Sequence, residues 1–339
     1  MRCAVWTAVG EIELQDWSKV EPKDDEVLIR VAFTGICASD THIIQGRLPV
    51  EIIRPPRILG HEFSGVIEAV GANVRHLSVG QPVVAHPNGP CGQCFNCRQG
   101  EENYCTGLYS MILGPGQGSF AEYTTVKTKQ VYSLPAATSL QDAAMVEPTA
   151  IAVHCISRAA IVPGDRVLVI GGGTIGLLSM QLARLAGASQ VILSEPLEFK
   201  RQLALGIGAD LAIDPLREDL ISTVKRLTGG AGVDLCIEAV GLPQGFEQAI
   251  EVVRERGRII LVGWPPPECT SAIPPYKIYR KELEIRGSFF SPYSFQRAIA
   301  LLPRLNLSVM QTHVLPLQQI HKGLDALKRG EAIKVLLKP

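Results

Sequence analysis

Three groups of residues in this chain have the types and spacing to do chemistry. The first is Cys91, Cys94, Cys97 and Cys105 in the run PCGQCFNCRQGEENYC. Two Cys-x-x-Cys steps share a middle residue, and a fourth cysteine closes the loop eight residues later. Four thiolates on one short loop suit a tetrahedral zinc ion with no open position, which folds a lobe rather than catalysing a reaction. A disulfide or redox loop is the alternative, disfavoured in the reducing compartment expected below. A nucleic-acid-binding finger is the other, but Arg98 is the only cation in the loop.

The second group is Gly171-Gly172-Gly173-Thr174-Ile175-Gly176, which follows a short apolar run and opens a helical pattern. Gly171, Gly173 and Gly176 satisfy G-x-G-x-x-G. The first permits a tight turn, the second lets the backbone approach a pyrophosphate, and the third lets helix and strand pack closely. Thr174 and Ile175 open the helix, whose N-terminus faces the anion. Glu195 follows 19 residues after Gly176, where an acid binds a ribose diol and repels a 2′-phosphate. The turn therefore predicts a dinucleotide, NAD rather than NADP. Lys200 is a candidate for the same ribose region or a surface residue.

The third group is dispersed. Gly60-His61-Glu62 lies downstream of Gly35-Ile36-Cys37-Ala38-Ser39-Asp40-Thr41-His42. A lone cysteine is usually a small buried hydrophobe. Together Cys37, His61 and Glu62 offer the mixed sulfur, nitrogen and oxygen donors of an open zinc site. With the glycine turn and the four-cysteine loop, they resemble the zinc-dependent medium-chain dehydrogenase/reductase family along essentially the whole chain.

That resemblance implies a GroES-like β-rich catalytic domain, a Rossmann domain, and an active site in the cleft between them. It implies two zinc ions per chain. Cys37 and His61 match the catalytic zinc ligands, and Glu62 follows as in the family's His-Glu pair. Glu147-Pro148 stands where ethanol-type enzymes carry a cysteine ligand, as in polyol, threonine and glucose dehydrogenases. Zn²⁺ with the Cys37 thiolate and one carboxylate is formally neutral. Glu62 and Glu147 are therefore not expected to bind tightly together throughout turnover. Ser39 and His42 match the family's proton relay, with His42 titrating near neutrality. Asp40 is placed to orient His61 through its other ring nitrogen.

The relay, the Glu-Pro pair and the run 279–289 are similar to sorbitol and related polyol dehydrogenases. Where those follow Gly-x-Phe with Arg-Tyr, this chain has Phe290-Ser291, and Ile43 replaces a tyrosine. A less polar pocket suits a shorter diol, a cyclitol or another secondary alcohol. L-Threonine 3-dehydrogenase-like oxidation is the alternative. A zinc-less quinone-reductase-like relative or a non-catalytic protein fits less well, because such relatives lose the residue matching Cys37 and the cysteine loop.

The elements that must position these groups follow from the pattern. Short apolar runs at 27–33, 64–70 and 81–85, broken by Gly and Pro, read as a β-rich first domain. Ser139 and Asp142 read as a helix start. From 167 the chain alternates strand and helix, which implies an α/β fold with a doubly wound parallel sheet covered on both faces. The expected division is 1–148 with 285–339 as the GroES-like domain, and 149–284 as the Rossmann domain. The chain has 339 residues, 33 basic and 33 acidic side chains, and 46% hydrophobic residues. Zero net charge argues against nucleic acid as a partner. No uninterrupted apolar stretch is long enough for a membrane span, and no signal peptide is apparent. The expected setting is the cytoplasm, the expected partner a small alcohol or ketone, and the expected assembly a homodimer or homotetramer. Either would pair Rossmann sheets edge to edge, with 258–262 and the segment after it as the candidate edge.

Overall fold

The structure is a computed structural model that describes residues 1–47, 53–114 and 116–339. Two compact units emerge: Met1–Glu147 with Phe295–Pro339, and Pro148–Ser294.

The first unit is β-rich. Its largest sheet has seven strands, centred on Glu26–Ile36, which pairs antiparallel with Glu62–Val70, Tyr123–Lys127 and the C-terminal strand Val335–Lys338. The last pairing brings the chain's end back beside its beginning, with Val335 opposite Ile36. Burial of alternating apolar residues fixes the register: a slip of one residue would turn Val27, Ile29 and Val31 out of a core that holds Phe63 and Ile67. A second apolar cluster, including Trp6, Ile36, Ile43, Phe120 and Val335, packs the other side. Ile43, expected to face a pocket, is instead 1% exposed in this core. The helix Leu140–Ala143 starts where expected, with Ser139 Oγ accepting the Asp142 N–H at 3.4 Å.

The second unit carries one six-stranded parallel sheet. From edge to edge its strands are Leu211–Ile213, Gln190–Ser194, Arg166–Ile170, Val233–Glu238, Val253–Leu261 and Glu284–Gly287. This order reverses at Arg166–Ile170, and ligands of such sheets bind beyond the strands' C-terminal ends at the reversal. The strands Arg166–Ile170 and Val233–Glu238 are almost wholly buried, which is why they read as continuous apolar runs.

Two expectations shift. Glu284–Gly287 pairs parallel with Val253–Leu261, so residues 285–294 complete the parallel sheet's unit, and the return to the first unit falls at Phe295 rather than at 285. The helix before the strand Val253–Leu261 is Pro243–Val252. Val253 leaves it to pair with Val233, and Arg254 leaves with it to meet Asp234 at 2.6 Å. The run 258–262 lies inside the sheet, and the edge is the strand after it.

Candidate metal and dinucleotide sites

The dispersed group converges in the first unit. Donor atoms of Cys37, His61 and Glu62 all lie within 4.8 Å of one another. Sheet pairing does most of this work. Gly35 lies opposite Glu62 across the sheet, and a Cβ at Gly35 would collide with the Glu62 carboxylate. Cys37 follows that strand's last residue, Ile36, and caps the helix Ala38–Ile44.

Asp40 holds the group together. Its carboxylate accepts the Cys37 N–H at 2.9 Å and the Gly60 N–H at 3.3 Å, and lies 3.3 Å from His61 Nδ1. It is 1% exposed, so these contacts are unscreened. Burial works against a charged His61 ring, but Asp40 and Cys37 outweigh it and hold the pKa well above the usual range. Partners that favour a proton on the ring equally favour a metal ion at Nε2, since both place positive charge there. Ser39 Oγ sits 3.4 Å from that nitrogen.

Lys334 was not anticipated. Its Nζ meets Glu62 Oε2 at 2.5 Å and donates to the Ile36 carbonyl at 3.2 Å, and lysine and glutamate are both almost wholly buried. Burial opposes its charge, but Glu62, Cys37 and Glu147 outweigh that and raise its pKa. The signal lay in the run Ala332-Ile333-Lys334-Val335-Leu336-Leu337. A cation inside an apolar strand needs a buried partner.

Glu147 opens the helix Val146–Ala159 and is buried. It stands outside the 4.8 Å donor cluster. Desolvation lifts its pKa to about 7, with His61 and Lys334 pulling down and Glu62 and Asp40 pushing up. His42 is half-buried on the helix that carries Ser39, and burial, then Arg47, lowers its pKa. The donor chemistry of Cys37, His61 and Glu62 fits zinc.

The four loop cysteines also converge, with all sulfurs within 4.8 Å and none in a disulfide. Backbone N–H groups point at them. Cys105 Sγ accepts from Cys91 N at 3.2 Å, and Cys91 Sγ accepts from Cys94 N at 3.4 Å. Backbone donors from Cys97 and Thr106 bring Cys94 down to about 6, whereas desolvation pushes Cys97 up to about 12. A bound dication would let all four thiolates form together.

In the second unit the glycine turn joins Arg166–Ile170 to the helix Thr174–Leu185. Gly171 adopts φ +104°, and a Cβ there would come within 2.7 Å of Val240 Cγ2. A Cβ at Gly176 would collide with the Gly171 carbonyl. A Cβ at Gly173 would meet nothing within 4 Å, leaving the helix N-terminus open. Thr174 and Ile175 form that helix's first turn. Glu195 is buried, accepting the Gly172 N–H at 2.7 Å and the Leu197 N–H at 3.0 Å. Lys200 is half-buried, its ammonium 5.9 Å from the Phe199 ring centroid. The more engaged cation is the neighbouring Arg201, which binds the Glu195 and Pro196 carbonyls and Asp214.

A dinucleotide-type sheet and a mixed sulfur–nitrogen–oxygen metal cluster in one chain define a metal-dependent oxidoreductase. The alcohol dehydrogenase GroES-like domain model matches residues 23–136, and the zinc-binding dehydrogenase model matches 174–304. The chain is 36% identical to a sorbitol dehydrogenase of Halalkalibacterium halodurans over 97% of its own length and 96% of that protein's. It is 33% identical to an L-threonine 3-dehydrogenase of Caldanaerobacter subterraneus, covering 97% and 95%. A zinc-binding dehydrogenase from Sinorhizobium meliloti, solved bound to NADP, superposes with a TM-score of 0.95 at 32% identity, covering 100% and 99%. The chain belongs to the zinc-dependent medium-chain dehydrogenase/reductase family, on its polyol dehydrogenase branch.

Proposed function

We propose that this enzyme interconverts a secondary alcohol and its ketone with NAD, and that the alcohol is an uncharged polyol, cyclitol or diol. The observation that carries this is the Cys37–His61–Glu62 cluster, with His61 and Glu62 buried and braced by Asp40 and Lys334.

Zinc, when bound, makes an alcohol hydroxyl acidic, and the nicotinamide accepts hydride. Cys37 and His61 would hold the metal. Asp40 fixes the His61 ring through Nδ1, so that Nε2 would serve as the metal donor. Lys334 neutralises Glu62, so one carboxylate can remain near the metal without making it anionic. Glu147 would then supply a further oxygen, directly or through water. Ser39 takes the substrate's hydroxyl proton and passes it to His42, whose lowered pKa keeps it a neutral acceptor.

Glu195 supports NAD over NADP, because its carboxylate beside Gly172 repels a 2′-phosphate. Phe289 and Phe290 stack at 4.0 Å in the loop after the last parallel strand, and Phe290-Ser291 replaces the Arg-Tyr of hexitol enzymes. By resemblance to those enzymes, the replacement favours a shorter or cyclic alcohol over sorbitol. A second zinc in the four-cysteine loop, a homodimer or homotetramer paired through Glu284–Gly287, and a cytoplasmic setting complete the proposal. Among the described residues no helix is long and apolar enough to cross a membrane.

The test is a panel of hexitols, cyclitols, vicinal diols and L-threonine with NAD and NADP, read as kcat/KM from nicotinamide absorbance, with zinc counted per chain. The expected result is turnover of a diol or cyclitol and a preference for NAD of about a hundredfold, equivalent to ~2.8 kcal/mol. Turnover of L-threonine alone, or a preference for NADP, would overturn it.

A further inference from the structure

Three helices of the second unit begin where strands of the parallel sheet end, and their N-termini are the places where backbone N–H groups gather positive potential. Before the helix Glu198–Gly206, the carboxylate of Glu195 accepts the N–H of Leu197, that helix's cap residue. Before the helix Pro243–Val252, Glu238 Oε1 accepts the N–H groups of Val240 and Gly241, both at 2.8 Å; burial raises its pKa, and these N–H groups with that of Leu242 act against the rise. Before Thr174–Leu185, Glu195 accepts the Gly172 N–H, but the cap residue Gly173 has no side chain and a Cβ there would meet nothing within 4 Å.

Glu238 is 2% exposed and takes no part in the mechanism above. It ends Val233–Glu238, the strand beside the one that carries the glycine turn. Two glycines pack against its carboxylate. A Cβ at Gly245 would lie 2.9 Å from Oε1, and one at Gly263 would lie 2.8 Å from Oε2. The turn it folds is tight, with Gly241 at φ +75° and the Ala239 N–H bonded to the Ile170 carbonyl at 2.9 Å. That turn sets Val240 directly over Gly171, the first glycine of the pyrophosphate turn.

We propose that Glu238 is a positioning residue for the dinucleotide. It folds residues 239–242 into the wall beside Gly171 and fills the N–H groups before Pro243–Val252 with an internal anion. Val240 in that wall in turn holds Gly171 in the conformation from which the turn would meet a pyrophosphate. The inference deepens the dinucleotide reading of this unit and does not depend on which alcohol is oxidised.

The test compares wild type, Glu238→Gln and Glu238→Ala as full-length, zinc-loaded enzymes, by calorimetric titration with NADH and by steady-state kinetics. Glutamine keeps an acceptor oxygen but loses the charge, so its bonds to the turn are weaker. Glu238→Ala is expected to raise the NADH Kd and the cofactor KM about tenfold, with kcat at saturation within about twofold. Glu238→Gln is expected about threefold weaker than wild type, a partial rescue that a general loss of fold would not give. Should the alanine variant fail to fold, the glutamine variant decides alone. An NADH Kd equal to or tighter than wild type in a folded variant, or a fall in kcat with the Kd unchanged, overturns the proposal. If wild type itself fails to bind NADH, the dinucleotide reading fails instead.

Discussion

At the scale of single residues, charge pairing decides what the metal cluster can do. Lys334 and Glu62 are a buried ion pair whose members compensate one another's desolvation. Removing one leaves the other uncompensated, which costs about 3–5 kcal/mol. Lys334→Met should therefore lower stability by that amount in urea unfolding of the zinc-loaded enzyme, and adding Glu62→Gln should recover most of it. A single variant as stable as wild type would show that Glu62 finds another partner. His42 carries a pH prediction. Its pKa lies below 6.5 because of burial and then Arg47, so the unfolded chain binds this proton more readily than the folded one. The contribution to stability rises with pH through that window and is complete above the unfolded value. The relay should likewise remain competent until pH drops beneath the lowered pKa. His42→Ala should slow kcat/KM most on the acid side and approach wild type as hydroxide accumulates. A pH–rate profile of unchanged shape would remove His42 from the relay. Cys37, His61 and Glu62 were legible because their residue types suit zinc. Lys334 was not, because its role depends on a strand pairing between residues about 300 positions apart, 36 and 335.

Among elements, those of the second unit could be read closely because their cause is local. Gln190–Ser194, Leu211–Ile213 and Val233–Glu238 coincide with their apolar runs, and a strand buried on both faces leaves no ambiguity of side. Ends were harder. Val252 closes a helix only because Val253 is claimed by Val233, a pairing invisible in the sequence around it. Glu238 shows the same limit. A glutamate ending an apolar strand looks like a solvated turn residue, and only the tertiary fold shows it buried against Gly245 and Gly263. The cysteine loop is the opposite case. Cys94 begins the four-residue helix Phe95–Arg98, and the exposed Phe95 shows how little apolar core the loop has. Metal ligation is then the natural source of its order.

For the whole molecule, the division of labour between units is the governing fact. Both metal clusters lie in the unit formed by Met1–Glu147 and Phe295–Pro339, and the glycine turn with its two buried glutamates lies in Pro148–Ser294. A ligand stabilises the part of a protein whose folded form it binds. Chelation and cofactor should therefore leave separate marks in amide hydrogen exchange. Stripping zinc should raise exchange over 91–105, 35–42 and 60–63, where the metal would offset the clustered thiolates and join Cys37 to His61. Saturating NADH should slow exchange over 170–176, 194–197 and 238–242 and lower the exchange of the zinc-stripped segments much less. Since 285–294 completes the parallel sheet, it should follow the cofactor rather than the metal. Protection of 284–287 that responded to zinc alone would place this segment with the metal-bearing unit and overturn the boundary at Phe295.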